Sequence, residues 1–211
     1  MHARTPCFAV RCVSLLALAT LPSPARAQAP GPDAPGPWGL RVRAVLSGST
    51  HHSDPPGYTI YSGLGLELAL VRRLGDAFAV ELAARTESRE VTGPEGSGDH
   101  RLGSMEMIPL NLSLAWRPRG RSDADLQPYL GAGVNVTHVW EKSGALDSTN
   151  PPPSLAPLIQ MGTDWAVARR TAINLDVRWN PQTVEIRDFV VPTPTLPLDP
   201  LALGLGLTVR F

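Results

Sequence analysis

Residues Leu201–Phe211 read LALGLGLTVRF, in which Leu201, Leu203, Leu205, Leu207, Val209 and Phe211 alternate with Ala202, Gly204, Gly206, Thr208 and Arg210. A period of two places successive side chains on opposite faces of an extended strand. One face of this strand is bulky and apolar, the other small or charged. The same alternation recurs upstream. Trp38, Leu40, Val42, Ala44 and Leu46 stand opposite Gly39, Arg41, Arg43, Val45 and Ser47. Ile60, Leu64, Leu66, Leu68 and Leu70 oppose Tyr61, Gly63, Gly65, Glu67 and Ala69, and Phe78, Val80, Leu82 and Ala84 oppose Ala79, Glu81, Ala83 and Arg85. Four further strands centre on residues 108–116, 130–137, 159–167 and 173–180. That makes eight.

The links between these strands also alternate. Those near residues 72–76, 118–125 and 168–171 are short, whereas those near 48–58, 91–101, 141–154 and 187–198 are longer and rich in Pro, Gly or polar residues. Short turns at one end and long loops at the other are the pattern of an outer-membrane barrel. Most of the 22 prolines fall in the N-terminal segments or these loops, where no ladder hydrogen bond is lost. Pro109, well inside the fourth strand, needs a bulge to accommodate it.

The chain of 211 residues carries 19 Lys+Arg and 19 Asp+Glu, with 43% apolar and 18% charged residues. Its first 27 residues read as a secretory signal peptide: a short basic start with Arg4 and Arg11, the apolar run Cys12–Leu21, then Pro22, Pro24 and the small-x-small triplet Ala25-Arg26-Ala27. The apolar run is about half the length that a membrane-spanning helix needs. Both cysteines, Cys7 and Cys12, lie in this segment, so the mature chain has no thiol for a disulfide, a thiolate metal site or a nucleophile. Residues 28–37 (QAPGPDAPGP) form a Pro/Gly-rich periplasmic linker with too little apolar surface to pack. Without the signal, 16 basic groups face 19 acidic ones, a poor match to a nucleic-acid backbone. Residues 38–211 then form the folded unit.

Which face meets which solvent decides the class. A soluble barrel turns its apolar face inward. Eight strands enclose an interior only wide enough for side chains, so the small and polar face suits the inside here. The Leu, Val, Trp and Phe face then points outward, which lipid alone tolerates. Trp38, Phe78, Trp116, Trp165 and Phe211 fall on that bulky face next to the short turns, as an interfacial aromatic girdle does. The reading is therefore all-β: an eight-stranded antiparallel transmembrane up-and-down β-barrel. The competing reading, a β-sandwich with these aromatics in its core, leaves the signal peptide and the loop asymmetry unexplained.

With the short turns on the periplasmic side, inward residues sort by height. Arg41, Arg43, Arg85, Arg178 and Arg210 with Glu67, Glu81, Asp164 and Asp176 occupy low to middle positions, where buried charges must pair. Their expected arrangement is an ion-pair network that fills the narrow barrel and blocks continuous water. Higher up, Val45, Tyr61, Met105, Met107, Val139, Leu158 and Val184 are the inward candidates. An apolar upper lumen above a charged floor suits a small hydrophobic molecule better than an ion.

The segments QPYLGAGVNVTHVW (Gln127–Trp140), IQMGTDW (Ile159–Trp165) and LDPLALGLGLTVRF, ending at Phe211, occur in an order that resembles the OmpW family of outer-membrane proteins. The runs AVELAA (Ala79–Ala84) and IPLNLSLAW (Ile108–Trp116) fit the same pattern, so the resemblance covers nearly all of residues 38–211. It implies an eight-stranded barrel in the outer membrane of a Gram-negative-type bacterium, with a hydrophobic channel passing small apolar compounds sideways into the membrane. The terminal Phe211 resembles the signal that such barrels present to the outer-membrane assembly machinery. The third long loop departs from the family in being proline-rich (GALDSTNPPPS), so gating features are not carried over residue by residue.

Chemistry of other kinds finds little support. His51-His52 with Asp54 lies in an expected loop, and adjacent histidines rarely point at one ion. His138 with Ser143 and Glu141 could be imagined as a lipid-trimming triad, but nothing in the sequence fixes their geometry. The glycine pairs Gly63/Gly65, Gly131/Gly133 and Gly204/Gly206 sit on the small face with no helix following, unlike a dinucleotide fingerprint. No cofactor, metal or enzymatic activity is expected. Two functions remain: a path for small hydrophobic solutes across the outer membrane, with membrane lipid as surroundings, or a closed structural or receptor-like barrel acting through its extracellular loops.

Overall fold

Bulky residues in every second position give the chain its strands, because branched and aromatic groups pack well on a pleated surface. The computed structural model describes residues 36–49, 58–93, 101–118, 126–146, 151–185, 195–198 and 200–211; the signal peptide and all but the end of the linker lie outside the described residues. Eleven strands occur among them: β1 (Trp38–Ser47), β2 (Thr59–Ile60), β3 (Gly63–Leu74), β4 (Phe78–Thr92), β5 (Arg101–Trp116), β6 (Leu126–Lys142), β7 (Ser154–Ala168), β8 (Thr171–Trp179), β9 (Gln182–Glu185), β10 (Thr195–Leu198) and β11 (Leu201–Arg210). A 3-10 turn, Gly144–Leu146, follows β6.

Eight of these strands close a barrel. Going round it, β1, β3, β4, β5, β6, β7, β8 and β11 each pair antiparallel with the next, and β11 returns to β1. Gly39 of β1 faces Val71 on one side and Arg210 on the other, so the first and last strands seal the sheet. Lipid offers no partner to an open edge, and every unpaired backbone group there costs several kcal/mol, so closure is obligatory. The small strands lie at the long-loop end: β2 adds to β4, and β9 pairs with β10 in a separate two-stranded sheet.

The bulky face is outside. Leu64 and Leu66 of β3 are 70% and 67% exposed, whereas Gly65 between them and Glu67 beside them are buried. Phe78 and Trp116 pair across β4 and β5, and Trp38 exchanges backbone hydrogen bonds with Phe211, which gathers the aromatic girdle at the short-turn end. Gly75, at φ 69°, takes the left-handed conformation that the tight turn from β3 to β4 requires.

The wall is not of even height. Strands β4 to β7 have 15 to 17 residues, whereas β8, β11, β1 and β3 have 9 to 12. At ~3.3 Å per residue the tall side is about 50 Å and the low side about 30–40 Å. The excess lies at the long-loop end. There the strands expected to stop at Arg85 and Thr137 run on to Thr92 and Lys142. Above the bilayer the outward positions Thr86, Ser88 and Glu90 are polar, so the alternation that marks a strand fades while the ladder continues.

Two local expectations are corrected. Pro109 carries no bulge: it stays in register with Thr137, and the β5–β6 register shift falls between Glu106 and Met107. On its other side the β4–β5 ladder passes from Ala84↔Leu110 to Glu87↔Met107 in unchanged register with no pairing opposite Pro109, which suits a residue without an N–H. Tyr61 does not face inward. Ile60 ends β2, pairing with Val91, and the two-residue break before β3 at Gly63 reverses the parity. Ile60 is thus 1% exposed and Tyr61 47% exposed.

The outward orientation makes a depth-dependent prediction. Leu205→Arg, in the middle of β11, should cost about 2–4 kcal/mol in urea unfolding from lipid vesicles, and Val209→Arg, near the aromatic girdle, about 0–1 kcal/mol. Equal costs at the two depths would contradict the lipid-facing assignment.

Candidate functional site

Inside the barrel the long side chains need room, and the small residues of the same face provide it. A Cβ on Gly204 would run into the Asp176 carboxylate and Arg43, and one on Gly131 would meet the Gln160 side chain. Glycine on one strand thus makes space for an ionised group from another.

The charged groups expected in the lumen meet in one network. Arg43 of β1 is the hub: its guanidinium bonds Glu67, Glu81 and Asp176, the last at 2.9 Å. Arg178 of β8 reaches across to Glu67 and, at 3.3 Å, to Glu81, and its Nε donates to Asp176 at 2.9 Å. Arg41 donates to Glu81 at 2.7 Å, to Asp164 at 2.8 Å and to Thr208 Oγ1 at 2.7 Å. Asn174 ties Asp164 to Tyr129 with bonds of 2.8 and 3.1 Å, and the Tyr129 ring lies under Arg41 and Arg117. Five strands therefore share one desolvated set of charges. Ionised groups persist at such burial only when each has opposite charge and hydrogen bonds around it.

Arg85 stands apart from that hub and pairs with Glu87 at 2.6 Å, and Glu87 also takes Arg89 at 2.7 Å. Arg210 lies at the lower margin, 3.9 Å from Asp164. Glu87, Arg89 and Arg117 were missing from the sequence-based set. Glu87 and Arg89 alternate with Thr86 and Ser88, so neither face of that stretch looks apolar, and Arg117 follows the last strand residue in what reads as a turn.

Above the Arg43 network the interior is mixed, with Glu87 and Arg89 buried opposite Met107 and Met105 and neutral or apolar groups around them. On the tall side Asn135 donates to Asn111 at 2.6 Å, Gln160 donates to Ser113 at 2.9 Å, and Thr137 donates to Gln182 at 2.9 Å. Higher still, Met105, Met107 and Val139 pack with Ile60, Val91, Leu146 and Leu198 into one buried cluster. Val45 and Leu158 are inward and 1% exposed but lie outside that cluster, nearer the ionised groups. Val184 pairs with Leu196, and its side chain lies outside the described residues. The cluster is packed, not hollow: the space beneath it, bordered by Met107, Leu198, Arg85 and Glu87, amounts to about 10 Å³, room for one water. Leu198 enters from β10 and Ile60 from β2, so segments outside the barrel wall complete this cap.

The alternative chemistries gain no geometry. His138 is exposed on the outer wall, and Ser143 Oγ is bonded to Ser104 Oγ at 2.9 Å. No cluster of three or more His, Cys, Asp or Glu that could hold a metal occurs among the described residues, and His51, His52 and Asp54 lie outside them.

Removing one partner from a buried network leaves the others uncompensated, which costs about 3–5 kcal/mol. Glu81 is shared by Arg41, Arg43 and Arg178 at the centre of the network. Glu81→Gln should therefore lower the unfolding free energy in detergent by about 3–5 kcal/mol, whereas Glu90→Gln at the exposed Arg101 pair should change it by less than about 1 kcal/mol. A similar small cost at both sites would mean that the lumen is hydrated and its charges screened.

Comparison with known proteins follows the same architecture. The sequence model of the OmpW family matches residues 57–211. Outer membrane protein W of Salmonella typhimurium is 28% identical over 149 residues, covering 67% of this chain and 68% of that protein. Outer membrane protein AlkL of Ectopseudomonas oleovorans is 31% identical over 115 residues, covering 53% of this chain and 49% of its own length. The crystal structure of OprG from Pseudomonas aeruginosa superposes with a TM-score of 0.66 at 19% identity, covering 84% of this chain and 97% of OprG. That last likeness is one of fold. The family match leaves out β1, yet β1 supplies Arg41 and Arg43 and seals the barrel. With the match over most of the barrel and the closed eight-stranded wall in agreement, the chain belongs to the OmpW family of Gram-negative outer-membrane proteins.

Proposed function

We propose that the barrel gives small hydrophobic molecules a path from outside the cell into the outer membrane, through the apolar upper lumen. The observation that carries this reading is the apolar cluster of Met105, Met107, Val139, Ile60, Val91, Leu146 and Leu198 at the long-loop end, with the ion-paired groups around Arg43 below it. An apolar solute gains free energy by entering the cap, at roughly 25 cal/mol per Å² of surface removed from water. It cannot go further down without separating buried ion pairs. Its exit must therefore be sideways, through the wall above the floor. The wall is lowest at β1 and β3, since β9 and β10 continue the β8–β11 ladder, and lipid stands behind it. Two methionines in the cap suit such traffic, because unbranched thioether chains repack around guests of different shape.

The space bordered by Met107 and Leu198 is only about 10 Å³, so passage requires Met107, Leu198 or the segments that carry Ile60 and Leu198 to shift. Val45 and Leu158 would line the deeper end of the route, and Tyr61, on the outer face, has no part in it. On this reading the chain performs no covalent chemistry and needs no cofactor. Its terminal Phe211, beside Trp38, would serve recognition by the assembly machinery. The competing reading, a closed barrel that acts through its loops, draws on the same packed cap.

Uptake into proteoliposomes separates the two. Met107→Arg places a charge in the cap and should slow entry of an apolar solute by about tenfold or more, a penalty of at least 1.4 kcal/mol. Val209→Thr on the lipid face should leave it unchanged. Equal uptake by wild type and Met107→Arg would remove the transport reading and leave the closed barrel.

A further inference from the structure

Among the described residues, the periplasmic end of the lumen gathers more guanidiniums than carboxylates. Arg73 of β3, Arg117 just after β5 and Arg210 of β11 converge there. Arg73 and Arg210 both donate to one neutral acceptor, Gln127 Oε1, at 2.8 and 3.0 Å. Arg117 Nη2 lies 2.9 Å from Asp164 Oδ2, and Arg210 Nη2 lies 3.9 Å from the same oxygen. That carboxylate already takes two bonds from Arg41. Three guanidiniums thus share part of one carboxylate and one amide oxygen.

Arg117 shows what this arrangement lacks. Its side chain is 9% exposed, yet its Nε and Nη1 have no hydrogen-bond partner. A buried guanidinium left short of acceptors is costly, and like charges held together in a partly desolvated site add to the cost. Both costs vanish when an anion with several oxygens sits between the three groups. A recess lined by Arg73, Arg117, Arg210 and Asp164 opens beside Pro37 and Trp38 at the barrel mouth.

We propose that this mouth is a binding site for a phosphate group, held by Arg117 with Arg73 and Arg210. Guanidinium forks match phosphate oxygens in geometry and charge. The recess itself holds only about 10 Å³, so the group seats at the opening with its oxygens directed inward. The phosphate can belong to free inorganic phosphate of the periplasm or to the headgroup of an anionic phospholipid in the inner leaflet. The rim accommodates the second source too: Arg72 stacks on Trp38 at 5.1 Å, and Arg169 and Arg170 are exposed in the β7–β8 turn. The site lies below the ionic floor and is independent of the transport reading.

The test uses the full mature chain in maltoside detergent. Sodium phosphate should raise the unfolding temperature in a saturable way beyond sodium chloride of equal ionic strength, and Arg117→Gln should weaken that effect about tenfold or more, as loss of a charge-assisted hydrogen bond does. In the second arm, nanodiscs of phosphatidylcholine with and without phosphatidylglycerol are followed by retention of the anionic lipid on the protein in native mass spectrometry. A phosphate effect alone assigns the free ion; retained phosphatidylglycerol that Arg117→Gln releases assigns the headgroup. Arg73→Gln, at the half-buried edge of the site, serves if Arg117→Gln does not fold. Equal stabilisation by phosphate and chloride together with no selective lipid retention overturns the proposal, as does binding that neither variant weakens.

Discussion

The structure depends on exchanging solvents across a wall one residue thick. Lipid outside removes any partner for backbone or side-chain polar groups, so all of them must be satisfied within the sheet or within the lumen. The closing ladder between β1 and β11 satisfies the backbone. The ion-pair network around Arg43 neutralises most of the charges that the wall turns inward. In a soluble protein such a network is weak evidence of stability, since a packed apolar core often does as well. Here an apolar core would leave the two faces of each strand alike, and nothing would fix which face meets lipid. The inward charges set the register, because slipping a strand by one residue would put Arg41 and Arg43 among acyl chains.

The same constraint grades the interior. Most ionised groups gather around Arg43, where strands from all sides can reach one another, and Arg85, Glu87 and Arg89 form a second set higher up, beside Met107 and Met105. Amide and hydroxyl groups such as Asn135, Asn111 and Gln160 stand higher on the tall side, and the apolar cap lies beyond them. The cap draws Ile60 and Leu198 from short strands that are not part of the wall. Its cohesion thus rests on loop-borne segments, whereas the floor rests on barrel strands. Local opening is cheapest where contacts are supplied by such segments.

Most of the architecture was legible because lipid and lumen select opposite residues at alternate positions. Leu205 and Gly206, or Leu68 and Glu67, cannot be confused. The reading lost its grip where that contrast ends. Above the bilayer both neighbours of a residue are polar, so the extension of β4 past Arg85, with Glu87 and Arg89 inside, left no trace in the pattern. Tyr61 was misplaced for a related reason: periodicity carried across a break assumes an uninterrupted ladder, and β2 leaves the wall to pair with β4 alone. Arg73 and Arg117 were hidden at the other end, in stretches whose charge looks like ordinary turn composition. The individual contacts of the network were beyond sequence reasoning, since which arginine meets which carboxylate depends on the barrel's stagger.

The uneven wall joins these observations. A barrel of uniform height with a sealed floor would be a cup, and an apolar molecule in it could only return to the water it came from. Here β4 to β7 rise well above β1 and β3. The cap bridges from the tall side, through Met105, Met107 and Val139, to Leu198 at the edge of the low side. Beside Leu198 the β8–β11 ladder passes through the backbone hydrogen bond from Asn180 to Pro200 into the β9–β10 pair in unchanged register, so this seam stays joined above Trp179 and Leu201. The sideways exit proposed above therefore rests on the short strands β1 and β3 rather than on the β8–β11 seam.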